Sequence, residues 1–108
     1  MVEVLVALVV LAAGLLALAG SGALAIRSSA AATRERRVVQ RGADRIAVLR
    51  AGGCAAARNG TAADSAARIT ERWIVRAVAG GAVMVDEEVR WSTPAGWRTV
   101  LLRGAILC

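Results

Sequence analysis

From Val4 to Ile26 the chain runs for 23 residues without a charge, VLVALVVLAAGLLALAGSGALAI, and one carboxylate, Glu3, stands just ahead of the run. As a helix rising about 1.5 Å per residue, this stretch reaches roughly 35 Å, enough for the roughly 30 Å hydrocarbon layer of a bilayer. A helix of a globular domain is rarely so long or so free of polar groups, because one of its faces has to meet water. Residues 1–26 are therefore expected to form a transmembrane helix. A secretory signal peptide is the competing reading, but such peptides open with positive residues and carry a shorter apolar core. Here Met1, Val2 and Glu3 lead, and only Ala23-Leu24-Ala25 has the form of a cleavage site.

After Ile26 the sequence turns polar without a helix breaker, from Arg27 to Arg50. Val39, Ala43, Ile46 and Leu49 recur at spacings of four, three and three, which places them on one helical face. Arg37, Arg41, Asp44 and Arg45 fall on another. Residues 27–50 are thus expected to continue the helix as an amphipathic extension, ended by Gly52 and Gly53. The small and polar stretch 51–67 reads as a linker. It contains Asn59-Gly60-Thr61, a glycosylation sequon short enough to arise by chance.

From Arg68 the periodicity changes from helical to alternating. Ile69, Trp73, Val75 and Ala77 alternate with Thr70, Arg72 and Arg76, interrupted by Glu71 and Ile74. Gly80-Gly81 marks a turn, Val83, Val85, Val89 and Trp91 share a face of a second strand, and Pro94 with Gly96 marks a second turn. Trp97 to Leu107 supplies a third strand. The expected fold is α+β: a long N-terminal helix, half transmembrane and half amphipathic, packed on a three-stranded antiparallel meander over 68–108.

Composition narrows the function. With 26 of 108 residues in the membrane, one small domain remains. Fourteen arginines, no lysine and eight acids give a net charge of +6, and there is no His, Tyr or Phe. Lacking His removes the commonest general base and the commonest metal ligand. No nucleophile–base pair, phosphate-binding loop or metal cluster is legible, so neither an enzyme nor a cofactor is expected.

The segment Val2-Glu3-Val4-Leu5-Val6-Ala7-Leu8-Val9-Val10-Leu11 resembles the N-terminal signature of type IV pilin-like proteins, in particular minor pilins and the pseudopilins of type II secretion. The motif-level likeness runs from Val2 to about Ala19; the helix, loop and small sheet that follow are similar to the family's layout. In that family a Gly-Phe-Thr-Leu segment precedes Val-Glu, a membrane peptidase cuts after the glycine, and the new N-terminus is methylated. Here Gly, Phe and Thr are absent and Met1 stands in place of the Leu. The expectation is that a Leu codon has been taken as the start, so that the protein extends upstream and meets a prepilin peptidase. The alternative is a family member that is never processed.

The resemblance implies a structural subunit of a type IV pilus or type II secretion pseudopilus. Such a subunit sits in the bacterial inner membrane with its C-terminal domain in the periplasm, and its partners are other pilin or pseudopilin subunits. Glu3 is then the assembly residue. A carboxylate in a membrane helix costs up to about 2.5–3.5 kcal/mol at mid-bilayer and less near an end, so it is kept for a partner, which the resemblance identifies as a neighbour's N-terminal amine. Otherwise Glu3 simply marks a helix start favoured by the helix dipole. Arg27, Arg34, Arg36 and Arg37 oppose this topology, since positive residues after a span favour the cytoplasm; a positive leader upstream would resolve the conflict.

Further candidates follow. Ala13, Ala17, Ser21 and Ala25 form a small-residue stripe that allows close helix packing in lipid, although an Ala-rich helix produces such stripes easily. Cys54 and Cys108 either remain thiols or form a disulfide, which needs an oxidising compartment and contributes about 4 kcal/mol for a loop of this length. The acids Asp86-Glu87-Glu88 are weighed as part of a calcium site, as in some major pseudopilins. Because neighbours on a strand point to alternate faces, a solvated edge is expected instead, and no metal. Trp73, Trp91 and Trp97, with Arg72, Arg76, Arg90 and Arg98 nearby, give either sheet core or a base-stacking nucleic-acid surface. Two other functions thus stay open: a DNA-uptake minor pilin, and a single-pass membrane protein unrelated to pili.

Overall fold

A computed structural model describes all residues, Met1–Cys108. One helix, α1 (Val2–Gly52), precedes four strands: β1 (Gly60–Asp64), β2 (Ile69–Val78), β3 (Ala82–Thr93) and β4 (Gly96–Leu107). The chain divides into two compact units, Met1–Arg34 and Glu35–Cys108.

The first unit is the N-terminal part of α1. Ala and Leu favour helix, and Glu3 sits in the first turn, where the free backbone N–H groups favour a negative charge. Every residue of this unit is exposed, including the long side chains from Val4 to Ile26. The hydroxyls of Ser21, Ser28 and Thr33 donate to the carbonyls of Leu18, Ala25 and Ser29 at 3.0, 2.9 and 2.9 Å. They satisfy themselves along their own helix and need no water, which suits an apolar setting.

In the second unit the rest of α1 packs on an antiparallel sheet of order β1-β2-β3-β4. The fold is α+β, but the sheet has four strands, not three. The additional strand, β1, lies inside the expected linker 51–67 and pairs Gly60–Asp64 with Trp73–Ile69 of β2. Its sequence, GTAAD, has little intrinsic strand preference. It is held instead by tertiary contacts: the Trp73 indole occupies the space a Cβ on Gly60 would need, Trp73 Nε1 donates to Arg58 O at 2.9 Å, and Val75 N donates to Asn59 Oδ1 at 2.7 Å.

The remaining connections follow the glycines. Ala79–Gly81 joins β2 to β3 with Gly80 and Gly81 both at positive φ, and Pro94-Ala95 joins β3 to β4 before Gly96 at φ 119°. Helix α1 ends where Gly53, at φ 74°, donates its N–H to Arg50 O at 3.2 Å.

The buried face of α1 is Val38, Gly42 and Ile46, not a stripe beginning at Val39 and Ala43; Ala43 is exposed and Val39 only half-buried. Val38 packs with Ile69, Val89 and Trp91, and Ile46 with Val85 and Ile106. Between these two clusters the contact residue is Gly42. A Cβ there would collide with Leu102 Cδ1 and come within 3.1 Å of Val89 Cγ2. A count of apolar side chains passes over a glycine, yet the missing side chain is what lets helix and sheet approach.

Candidate functional site

Glu3 is exposed in the first turn of α1 and borders a shallow apolar groove lined by Val2, Val6, Ala7, Val10 and Leu11. Ala13, Ala17, Ser21 and Ala25 are exposed at successive turns of the same helix. Nothing within the first unit covers any of these residues. They offer a carboxylate and a small-residue seam to whatever lies alongside.

The second unit holds a charge cluster on the helix-facing side of the sheet. Arg41, from α1, donates through its Nη1 to Asp64 Oδ2 and through its Nε to Glu71 Oε2, both at 3.0 Å. Arg45, one turn on, places Nη2 3.6 Å from the same Glu71 oxygen and its guanidinium 4.5 Å from the Trp73 ring centre. Asp64 also accepts the Ala67 N–H at 3.0 Å; that bond and the Arg41 guanidinium hold its carboxyl below its ordinary value, while Asp64 and Glu71 push Arg41 up. Glu71 is buried in β2, so the apparent break in alternation at Glu71 and Ile74 is no break. The strand keeps its period, with an acid turned inward and Ile74 outward.

Asp86-Glu87-Glu88 is not a solvated edge. It lies in β3, an inner strand of the sheet. Asp86 and Glu88 face outward and pair with Arg76, Arg103 and Arg72. Glu87 faces the helix and is 0% exposed, with neither carboxylate oxygen hydrogen-bonded. A signal for this was available: Val83, Val85, Val89 and Trp91 mark one face of the strand, and the gap in that series is Glu87.

The tryptophans divide between the faces. Trp91 is buried and Trp73 half-buried on the helix side, whereas Trp97 is 55% exposed with the Arg90 guanidinium 5.7 Å from its ring centre. Three of the outward-facing arginines are engaged by Asp86 and Glu88, so the outer face is not a continuous basic stripe with aromatic platforms. Cys54 and Cys108 are joined in a disulfide with Cα atoms 5.7 Å apart. The bond ties the end of β4 to the loop after α1.

No family model, curated protein or solved structure matches this chain. Its role has to be read from its own surface and interior. By length and composition α1 is apolar enough to cross a membrane, with a mean hydropathy of 2.7 over its most apolar window and none of that window buried.

Proposed function

We propose that this protein is a structural minor subunit of a type IV pilus or type II secretion pseudopilus, held in the bacterial inner membrane and assembled through the N-terminal part of α1. The observation that carries the reading is an apolar helical surface from Val4 to Ile26, exposed along its whole length, with the carboxylate of Glu3 at its head. Apolar area of this extent needs lipid or other helices around it. Lipid alone covers the aliphatic side chains but leaves Glu3 unpaired, and a neighbouring subunit's N-terminal amine would neutralise it. The Val2–Ala19 signature and the helix-then-sheet order support the same reading. The disulfide fits a sheet unit on the periplasmic side.

Cysteine crosslinking in native envelopes, from single cysteines placed at Ala13 or Ala17, tests this. The parent should form crosslinked oligomers or mixed products with related subunits. Glu3→Ala should reduce them by about tenfold or more, equivalent to about 1.4 kcal/mol per contact. If the parent yields only monomers, or Glu3→Ala assembles as well as the parent, the reading is wrong.

A further inference from the structure

Glu87 is the most anomalous group in the second unit. It lies at the middle of β3, opposite Trp73 of β2 and Leu102 of β4, with α1 lying over it; a Cβ on Gly42 would be 3.6 Å from its Cγ. The side chain has no exposure and both its oxygens lack a hydrogen-bond partner. An ionised carboxylate in that condition is strongly disfavoured, because it has lost its hydration and gained no partner.

The charged groups around it show why no cation serves it. On α1, Arg41 is committed to Asp64 and Glu71, Arg45 lies beside Glu71 and over Trp73, and Arg50 donates to Ala105 O of β4. On β1 and β2 the facing groups are the acids Asp64 and Glu71. On β4 the residue opposite Glu87 is Leu102, and the nearest helix-facing cation of that strand, Arg98, is opposite Trp91, four residue pairs further along. Two guanidinium groups, Arg41 and Arg45, thus lie beside three acids, and neither is bonded to Glu87. Arg45 Nε is a buried donor without a partner, but it makes no hydrogen bond to Glu87, and Glu71 Oε1 is likewise unpaired.

We propose that Glu87 is a buried proton-binding site, and that losing this proton opens the seam between α1 and β3–β4. Protonated, Glu87 is a neutral side chain that the apolar seam around Gly42 and Leu102 can close over. Deprotonated, it draws in water, which separates the helix from the sheet at Gly42. Burial, the largest cause, and the neighbouring charge of Glu71 push the Glu87 carboxyl up to about 7, against a smaller opposing effect of Arg45. The direction of the coupling follows. The folded form holds the proton more tightly than the open form does, so the stability that Glu87 contributes is fully present below 4.5 and is lost as pH rises towards and through 7. The proposal does not depend on the filament reading.

The test uses the full chain in detergent micelles. A carbon-13 titration of the Glu87 carboxyl should show a midpoint near 7, far from the ordinary glutamate range. Amide exchange at residues 38–46, corrected for the intrinsic rate, should show a seam-opening constant that rises by up to about tenfold per pH unit between 4.5 and 7 and then levels off. Glu87→Gln should remove that slope. An ordinary midpoint in the parent overturns the proposal, as does an unchanged slope in the variant. If Glu87→Gln fails to fold, the carboxyl titration of the parent decides alone.

Discussion

At the scale of single residues, the second unit is organised by how its acids are partnered. Asp64 and Glu71 are both held by Arg41, but their surroundings differ. The Glu71 side chain is 1% exposed and depends on the two arginines, whereas Asp64 also has the Ala67 N–H. Arg41→Ala would leave Glu71 buried with only Arg45 at 3.6 Å. Because Arg41 is about one-third exposed, the loss is discounted below the roughly 3–5 kcal/mol of a fully buried pair, to about 2 kcal/mol, readable as a shift in the urea midpoint. Asp64 has a pH signature opposite to that of Glu87. Its folded value is depressed, so its contribution is present above 3.8 and is lost as pH falls through and below that value. An Asp64→Asn variant should therefore show a shallower decline in stability on acidification than the parent, measured by circular dichroism; an identical acid limb would refute this.

At the scale of elements, the helix-to-sheet contact is set by Gly42. Leu102, Val89 and Glu87 all lie within 4 Å of where its Cβ would be. Gly42→Leu should destabilise the unit by about 2–3 kcal/mol through overpacking, and should reduce amide protection in α1 around Val38 and Ile46 more than in the first unit. In Gly42→Ala, by contrast, a gain in helix propensity of about 1 kcal/mol opposes the collision with the flexible end of Leu102. The same contact explains what was legible in the sequence. The long helix, its glycine stop and the alternating strands β2, β3 and β4 could be read because hydropathy period and turn residues encode them locally. Strand β1 could not, since GTAAD carries no strand pattern and is held by Trp73 and Asn59 from outside its own sequence. Of the expected helix face, Ile46 and Leu49 do meet the sheet, but Val39 and Ala43 are displaced by Val38 and Gly42, because the central contact residue has no side chain to count.

At the scale of the whole molecule, the two units have different needs. The first has no interior and relies on its surroundings to cover its apolar surface. The second has a small core in two clusters, with a charged layer between helix and sheet. So small a core benefits from covalent closure, and the Cys54–Cys108 bond spans 54 residues. Reduction, or Cys54→Ser with Cys108→Ser, should lower stability by about 4 kcal/mol on the chain-entropy account, measured as a shift in urea midpoint with and without reductant. A shift near zero would mean that the Arg50 hydrogen bond to Ala105 O, at 3.2 Å, and the contacts of Ile46 already hold β4 in place.

Local pattern in the chain is enough to locate the apolar span and its leading acid, and to show that a helix gives way to antiparallel strands. These properties depend on residues close together in the chain, so a one-dimensional pattern contains them. That Glu87 is enclosed without a partner, that Glu71 is shared by two arginines, and that a fourth strand forms all emerge only from the folded arrangement. Each of those depends on what distant segments bring to one point in space, where a carboxylate's cost is set by the groups around it and not by its neighbours in sequence.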